Sequence, residues 1–554
     1  MKKIMAILLV LVLAIGMTAC NSAATTSSPS PSQSAPSPAQ SAAAPSDAAS
    51  AAPQTDAASG RPAPSDTDKL VIAHKGDPTG LFTLATTAVS TNGPINVFLN
   101  DTLVHWNSVA QEFEPMIATE WKYIDDTHIE FKLRDDVYAH DGSHITASDV
   151  IYTFQTGSDQ GFLGNYLGKF DIPNCKAVDE YTVVLATKVA EPYIFYTLGN
   201  AALGIVSQKA VEAGGGVEQQ LSAPSSGCGP YKFVKWERGT AVILERNDNY
   251  YGDKAYFKTV EFRIIGDASA RLMNLQSGDV DVALDPVASQ VSQLQGDTNF
   301  TVQNVETATL TTMYLNCSGS FAPFSDANVR RAIALALNYD ANRDVAVGEF
   351  GNTSDSFLSK LSPAYSAPGS TDKNYYHYDV AAAKEMLAQS GYPDGFTFSL
   401  KYAENSMFKA LAELIQNQLK EINITVQVTP EDSSVFSKDI AEGNFEAQMI
   451  NSSNPDPAAV MNLVDGRNSF QQVRGGAGWQ GTEEVYKLMD IAKGTIDEAT
   501  RYDAYKKIQS IVNEACPVVP LVSQNRIITT VSSLQGITLT VFTDVDLSRA
   551  YRVG

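Results

Sequence analysis

Alternating and helical patterns of hydrophobic residues predict a body built from both strands and helices. Residues 128–134 alternate, with Ile129, Phe131 and Leu133 on one face, which is typical of a half-buried strand. Residues 408–419 instead carry apolar side chains at helical spacing, at Phe408, Leu411, Ala412, Ile415 and Leu419. An alternating strand at residues 424–428 follows directly. Because strand, helix and strand recur in mixed order, the pattern predicts an α/β fold with sheets of mixed strand direction.

Capping residues mark where several helices begin. Residues 146–149 resemble a capping box and predict a helix that continues through Val150. Ser325 or Asp326 can cap a second helix. Asp379 predicts the start of a third helix, which we expect to run as far as Gly391.

The first 20 residues have the pattern of an export signal. Lys2 and Lys3 precede an apolar run over residues 4–15, which is short for a membrane span and typical of a secretory leader. Residues 17–20 resemble the bacterial lipobox, in which the cysteine, here Cys20, becomes the lipidated new N-terminus. A plain cleavable signal with an incidental cysteine is the alternative.

A low-complexity segment follows the leader. Residues 21–60 contain 13 Ala, 11 Ser and 6 Pro and no aromatic residue. Such a segment buries too little apolar surface to offset its chain entropy. We therefore expect residues 21–65 to be a disordered tether that holds a folded body near a membrane.

Length and charge limit what the body can be. A chain of 554 residues exceeds one hydrophobic core, which predicts two or three domains. The net charge is −22, whereas a nucleic-acid-binding protein needs a basic face. We therefore expect no nucleic-acid partner.

The pair His140 and His144 is the sharpest candidate for a metal site. Two histidines four residues apart could bind a metal ion on a helix. Asp141 and Gly142 predict a turn instead, so the two imidazoles need not converge. We expect no metal and no cofactor.

Sequence motifs for catalysis are absent. No nucleophile elbow, Walker loop or dinucleotide fingerprint lies between a strand and a helix. The Gly-rich residues 473–478 have no strand pattern before them, which favours a surface loop. The chain has 6 His, and no Ser/His/Asp or Cys/His set stands out. A binding protein is therefore favoured over an enzyme, and a secreted hydrolase is the alternative that turnover of a broad substrate panel would reveal.

The cysteines of the body leave two possibilities open. Cys175, Cys228, Cys317 and Cys516 are widely spaced and form no CxxC pair, which makes a zinc site a weak interpretation. An exported protein could pair them in three ways, or they could be free buried thiols.

Several segments, in order, resemble the extracytoplasmic solute-binding proteins of ABC importers, in the peptide- and nickel-binding group called family 5. The resemblance covers roughly residues 69–530. It is carried by residues 113–121, 131–150, 229–231, 245–251, 275–281, 329–332, 378–392 and 501–521. In this family residues 140–142 correspond to a structural turn, which agrees with the turn inferred above.

The resemblance implies two lobes that close around a ligand by hinge motion. Lobe I would take residues 66–95, 225–307 and 521–554, with an inserted subdomain at 96–224. Lobe II would take residues 308–520. The expected fold is thus an α/β, two-lobed periplasmic-binding-protein-like fold with a cleft.

The chain departs from the family at the residue that binds a peptide's amino group. Peptide-binding members carry an aspartate there, in a segment that here spans residues 450–457. One alignment places Ser453 at that position, and the other places Pro455 there. Neither supplies a carboxylate, so ordinary peptides with a free amino terminus are in doubt.

The resemblance and the polar sequence together imply a set of ligand-binding residues. Val89, Ser90 and Thr91 match the family's lobe I ligand loop, and Asp285 follows the 278–281 segment. The facing residues in lobe II are Asn451, Ser452, Ser453, Asn454 and Asp456. Trp106 and Trp479 are candidate aromatic walls, although either could be a core residue.

The implied function is capture of a small or medium polar solute, an oligopeptide or a related compound, outside the membrane. The solute would pass to an ABC permease and its ATPase, and the protein would be a monomer anchored to the bacterial cell membrane through lipid on Cys20. A surface receptor or sensor lipoprotein with the same fold is the alternative, and the absence of a co-located permease and ATPase would favour it.

Overall fold

The computed structural model describes residues 62–85, 89–108, 110, 112–161, 163–286, 288–367, 373–453, 461, 464–467, 478–539 and 545–553. The leader, Cys20 and the tether up to residue 61 lie outside these described residues. Ser65, the last residue assigned to the tether, donates its backbone N–H to the carbonyl of Tyr256 at 2.9 Å. The hydrogen-bonded body therefore includes Ser65.

The strands are named in chain order. They are β1 (Lys69–His74), β2 (Val104–Asn107), β3 (Glu112–Pro115), β4 (Ala118–Asp125), β5 (His128–Leu133), β6 (Lys176–Asp179), β7 (Thr182–Ala186), β8 (Tyr231–Glu237), β9 (Ala241–Arg246), β10 (Thr259–Ile264), β11 (Val282–Leu284), β12 (Phe300–Leu315), β13 (Gly351–Asn352), β14 (Thr397–Ala403), β15 (Thr425–Glu431), β16 (Ala447–Ser453), β17 (Val518–Val531), β18 (Leu534–Gln535), β19 (Thr538–Leu539), β20 (Val545–Asp546) and β21 (Tyr551–Arg552).

The α-helices are named in the same way. They are α1 (Val89–Leu99), α2 (Ala147–Gln160), α3 (Gly164–Leu167), α4 (Ile194–Leu198), α5 (Gln208–Ala213), α6 (Val217–Gln220), α7 (Ala268–Ser277), α8 (Ala288–Val291), α9 (Ala327–Ala336), α10 (Tyr339–Ala346), α11 (Val380–Ala388), α12 (Ser406–Leu419), α13 (Ser433–Glu442), α14 (Thr482–Lys493) and α15 (Glu498–Ala515). No helix in the described part of the chain has the length and apolarity that a membrane crossing requires.

One large sheet runs through the body in the order β15-β14-β16-β12-β17-β11-β1-β10-β9-β8, and β13 also pairs with β17. Strand β1 is parallel to both β10 and β11, and β14 is parallel to both β15 and β16. The strands that join these two groups, β12 and β17, are antiparallel. The mixed strand direction predicted from the sequence is therefore present.

The two joining strands are the longest in the sheet, with 16 residues in β12 and 14 in β17. Their pairing shifts register twice, between Glu306 and Thr309 and between Thr311 and Thr312. Pro520 pairs at the second shift, where a bulge tolerates its missing N–H. These irregularities are sites where paired strands can bend and twist.

A separate sheet in the order β4-β5-β7-β6 and the hairpin β2–β3 lie within the segment expected to be inserted, residues 96–224. Phe131, Phe154 and Ile194 belong to one buried cluster that fills this segment. The segment thus has its own sheet, whereas its core also includes Phe82, Leu84, Ala85 and Cys228 from outside the segment. The proposed domain boundaries stay predictions.

Local sequence patterns predicted several elements correctly. Thr146 and Asp149 form the expected capping box at the start of α2. Asp326, rather than Ser325, caps α9 by accepting from the backbone N–H of Asn328 at 2.8 Å.

The helix capped by Asp379 ends at Ala388, three residues before Gly391, so its predicted end is wrong. The chain leaves the helix at Ser390, whose hydroxyl donates to the Leu387 carbonyl.

The four cysteines of the described body, Cys175, Cys228, Cys317 and Cys516, are buried free thiols. Burial raises the pKa of the Cys317 thiol to about 11 and that of Cys516 to about 12. At neutral pH both groups are therefore uncharged and packed as small apolar residues.

Candidate functional site

Strand β16 ends in polar residues that face a neighbouring strand. Asn451 pairs with Thr311 and Ser453 pairs with Thr309 across the β12–β16 ladder. Directly paired residues project to the same face of a sheet, and alternate residues share that face. Asn451 and Ser453 therefore lie on one face, whereas Ser452 projects to the opposite face and is not brought together with them.

Side-chain hydrogen bonds connect this face across three strands. Thr311 Oγ1 donates to Asn451 Oδ1 at 2.8 Å, and Thr309 Oγ1 lies 2.9 Å from Ser453 Oγ. The amide of Gln524 on β17 donates to both Thr311 Oγ1 at 2.8 Å and Asn451 Oδ1 at 3.0 Å. The amide nitrogen of Gln524 on β17 thus orients the side chains of Thr311 and Asn451.

Gln524 lies where the sequence of β17 changes from apolar to polar residues. Residues 518–522 are apolar and buried, and the polar residues 523–526 follow them in the same strand. Arg526 lies two residues after Gln524 on β17, across the register shift that pairs Asn525 with Glu306 and Gln524 with Thr309. The row of polar side chains therefore continues along β17 towards β11.

Asp285 lies directly after β11 and is held by two cations. Its carboxylate oxygens lie 2.9 Å from Lys75 Nζ and 3.0 Å from Arg526 Nη2. Burial on its own would raise the pKa of this carboxyl group, but Arg526 and Lys75 lower that pKa well below its ordinary range. Asp285 is thus ionised at neutral pH and joins the β1 end of the sheet to the crossing strand.

These residues form two groups of contacts, one around Asp285 and one around Asn451, whose members Arg526 and Gln524 stand two residues apart on β17; together we call them the polar row. It consists of Lys75, Asp285, Arg526, Gln524, Thr311, Asn451, Thr309 and Ser453. The row starts at the ends of β1 and β11, crosses β17 and β12, and finishes at the end of β16. It therefore spans both halves of the large sheet.

The residues expected to form a lobe I ligand loop are helical. Val89, Ser90 and Thr91 make the first turn of α1, so the expectation of a loop is wrong for their backbone. Pro94 has no N–H, so the Ser90 carbonyl lacks the donor that a helix normally supplies four residues later. The side chain of Thr91 lies near Gly76, where an added Cβ would meet Thr91 Cγ2 at 3.4 Å. Thr91 therefore lies beside Gly76, the residue that follows Lys75.

The two candidate tryptophans have different surroundings. Trp479 is 4% exposed and packs in a core cluster with Val485, Met489 and Ile508, so it is a core residue and not a wall of the site. Its neighbours come from α14 and α15, which the sequence around Trp479 does not reveal.

Trp106 lies on β2, with its ring centre 4.9 Å from that of Phe113 and 5.7 Å from that of Tyr196. It also lines a cavity of about 260 Å³ together with Asp101 and Arg549. Its described contacts are thus with an aromatic cluster and with this cavity, which we call the Asp101 cavity, and not with the polar row.

Two more sequence candidates, Asn454 and Asp456, lie outside the described residues.

The candidate metal-binding pair, His140 and His144, lies within the described residues, and its two imidazoles do not converge. His140 Nε2 lies 3.1 Å from the carbonyl oxygen of Gly229, whereas His144 Nε2 lies 2.9 Å from that of Asp135. No cluster of metal-ligating side chains is found within the described part of the chain.

Sequence reasoning missed five members of the polar row: Lys75, Thr309, Thr311, Gln524 and Arg526. One signal was available, because threonines alternate at 307, 309 and 311 within a strand that is otherwise apolar towards its end. Polar residues on alternate positions of a buried strand indicate a polar surface inside the fold. Their partners on β16 and β17 are distant in sequence and could not be read in the same way.

The chemistry of the row is that of recognition. Hydroxyl and amide groups from Thr309, Asn451 and Ser453 can both donate and accept hydrogen bonds. Lys75 and Arg526 add positive charge, and Asp285 adds negative charge. This set can bind a polar molecule through neutral hydrogen bonds at one end and charged contacts at the other.

A search of protein families matches residues 112–472, more than half of the chain, to the family described as bacterial extracellular solute-binding proteins, family 5. Among similar curated proteins is the probable D,D-dipeptide-binding periplasmic protein DdpA of Escherichia coli. It is 26% identical over 434 residues, which cover 75% of this chain and 80% of DdpA. These relatives are substrate-binding proteins and not enzymes.

Solved structures have the same fold. NikA from Brucella suis, in complex with Fe(III)-EDTA, matches with a TM-score of 0.77 at 19% identity, covering 88% of this chain and 100% of NikA. The ABC transporter substrate-binding protein CtaP from Listeria monocytogenes matches with a TM-score of 0.77 at 22% identity and the same coverage. The two-lobed α/β fold predicted from the sequence is confirmed.

Proposed function

Because this chain belongs to family 5 of the bacterial extracellular solute-binding proteins, we propose that it captures a peptide or a related polar solute for an ABC importer. The solute is held between lobe I and lobe II, with the boundaries given above, and is then released to a permease with its ATPase. The relation to a probable dipeptide-binding protein supports a ligand of the peptide class.

The observation that carries this proposal is the polar row. Its residues come from both halves of the large sheet and cross on β12 and β17, the two strands that join those halves. A ligand that contacts both ends of the row gains most when the halves are closed, so it shifts the population towards the closed form. Asn451, Ser453, Thr91 and Asp285 are the contact residues we propose from the set implied by the sequence.

A lipid anchor is part of the same proposal. The lipobox-like residues 17–20 and the Ala/Ser/Pro tether support attachment through Cys20, which would keep the binding protein beside its permease. A tether of this composition behaves as a flexible chain, so the lobes remain free to close.

Native mass spectrometry of the protein as purified tests the proposal directly. We expect a copurified solute of the peptide class, released on denaturation. Small-angle scattering of solute-free protein should then give a smaller radius of gyration after that solute is added back, and no change with an unrelated sugar. A sugar or lipid as the copurified species, or no compaction at saturation with a binding solute, would contradict the proposal.

A further inference from the structure

The Asp101 cavity lies apart from the polar row, and its described lining includes no residue of that row. Its walls come from three segments of the proposed lobe I, within residues 97–201, 230–255 and 546–549. Its volume is about 260 Å³, whereas most ligand sites have about 300–1,000 Å³. The cavity therefore suits a small molecule and not a peptide.

Two buried carboxylates line this cavity, those of Asp101 and Asp546, which are 1% and 6% exposed. The Oδ2 atom of Asp101 accepts from the hydroxyls of Tyr250 at 2.7 Å and Tyr251 at 2.6 Å. The Oδ1 atom of Asp546 accepts from the backbone N–H of Ser548 at 2.8 Å and from its hydroxyl at 2.7 Å. Within the described part of the chain, the second oxygen of each carboxylate accepts no hydrogen bond. Each carboxylate therefore keeps an acceptor for a ligand.

The other charged groups that line the cavity leave its interior negative. Arg134 is matched by Asp136, to which its Nε and Nη2 donate at 2.8 Å each. Arg549 and Asp253 are exposed and of opposite charge, and no described ion pair joins Arg549 to either buried carboxylate. Water screens such exposed charges more than buried ones. Burial lowers the pKa of His105, so its imidazole is neutral at pH 7.

The buried negative charge is unfavourable without a cation beside it. Burial raises the pKa of Asp101 to about 6, even though Tyr250 and Tyr251 donate hydrogen bonds to it. A cation that enters the cavity offsets the cost of this buried charge. Trp106 and Met116 also line the cavity and offer apolar surface to the rest of such a molecule.

We propose that the Asp101 cavity binds a small primary amine in its ammonium form. The ammonium group has three donors and no acceptor, so it donates to the second oxygens of Asp101 and Asp546. The alkyl part of the amine lies against Trp106 and Met116. This second binding site goes beyond the proposed function, because it does not depend on which solute the polar row captures.

Calorimetry with a matched pair of probes tests the charge. Butylammonium and 1-butanol have alkyl chains of the same length and differ in the head group. Each is titrated into the full-length protein at pH 7 and constant ionic strength. We expect butylammonium to bind about tenfold to a hundredfold more tightly, as for a charge-assisted hydrogen bond. Equal binding, tighter binding of 1-butanol, or no binding of either would overturn the proposal and leave the proposed function intact.

Variants show whether the two carboxylates are responsible. Asp101→Asn and Asp546→Asn should each weaken binding of butylammonium about tenfold, because each removes a negative charge and keeps the shape of the side chain. Asp340→Asn is the control, at an aspartate on α10 whose side chain is 76% exposed, and it should bind like the native protein. Unchanged binding in both test variants would overturn the assignment. If one test variant fails to fold, the other decides.

Hydrogen exchange of the native protein locates the site without any substitution. Butylammonium should slow amide exchange within residues 101–106 and 250–255, which contain residues that line the cavity, and should not slow it on α10. The same concentration of 1-butanol should have a smaller effect. Unchanged exchange in both segments, or protection confined to β12, β16 and β17 of the polar row, would overturn the proposal.

Discussion

The guanidinium carbon of Arg501 lies 4.1 Å from the centre of the Tyr193 ring and 5.8 Å from that of Tyr505. Arg501 is 3% exposed, and its Nε and Nη2 have no hydrogen-bond partner among the described residues. Tyr193 belongs to the segment 96–224, whereas Arg501 belongs to α15. A buried cation–π contact therefore joins the proposed inserted subdomain to lobe II.

Loss of this contact should favour the open form. In Tyr193→Leu we expect the closed form to lose about 2 kcal/mol, the value for a desolvated cation–π contact, and solute affinity to fall about thirtyfold. Tyr193→Phe is the matched control, because it keeps the ring face that Arg501 contacts. The dissociation constant of the copurified solute measures the effect. Equal affinities for the two variants would show that the contact does not contribute to closure.

The buried carboxyl group of Asp101, which lines the cavity next to Trp106, should give a distinctive pH dependence. Burial raises the pKa of Asp101 to about 6, although hydrogen bonds from Tyr250 and Tyr251 and the charge of Arg549 oppose this shift and Asp546 adds to it. The folded state therefore holds a proton that the unfolded state releases near pH 4. The contribution of Asp101 to the free energy of unfolding should fall by about 3 kcal/mol as the pH rises from 4 to 7.

Denaturant unfolding of the native protein and of Asp101→Asn between pH 4 and 7 tests whether the free energy of unfolding falls as the pH rises. The native protein should lose stability relative to the variant between about pH 4 and pH 6, and the difference should level off above pH 6. Asp136→Asn is the control, because the hydrogen bond from Arg134 lowers the pKa of Asp136 and reverses the direction. A stability difference for Asp101→Asn that is constant with pH would contradict the prediction.

Lipidation is expected at Cys20. Cys20→Ala should move the protein from the membrane fraction to the soluble extracytoplasmic fraction, because the variant lacks the thiol that would carry the lipid. Cys175→Ala, at a buried thiol, should leave the distribution unchanged. Fractionation followed by immunoblotting measures both, and a membrane-retained Cys20→Ala would rule out this anchor.

Specificity for the amino terminus depends on Ser453 in one alignment with the family. Without a carboxylate there, a buried ammonium should cost about 3–5 kcal/mol, so free peptides should bind weakly. Ser453→Asp should improve binding of a free tripeptide over its N-acetylated form, and Ser453→Asn should not. Submicromolar binding of a free dipeptide by the native protein, abolished by acetylation, would instead show that another residue supplies the charge.

Local elements could be predicted from the sequence because their causes are local. The capping box at Thr146 and the apolar stripe of α12 act over a few residues, and both lie where expected. The predicted end of the helix after Asp379 is too late, because the helix end depends on hydrogen bonds at Ser390 and not on Gly391 alone.

The polar row could be predicted only in part. The sequence predicts Asn451, Ser452 and Ser453 equally as ligand-binding residues. The strand register decides which of them share a face, and the sequence alone does not give that register. Sequence reasoning also selected Asp285 without its cations, since Arg526 is 241 residues away in the chain and reaches it through the β11–β17 ladder. Trp479 could be assigned to the core only once its neighbours on α14 and α15 were in place.

The strands β12 and β17 support the polar row and also join the two halves of the sheet. The Thr307 hydroxyl donates to the Gln524 carbonyl at 2.6 Å within the first register shift, so the side chain that orients Asn451 lies at an irregularity where paired strands can bend. Under the proposed function, bending stiffness and ligand choice are therefore properties of the same residues. A substitution here that adapts the protein to a new solute would also change how fast and how far it opens, so transport rate and specificity would evolve together.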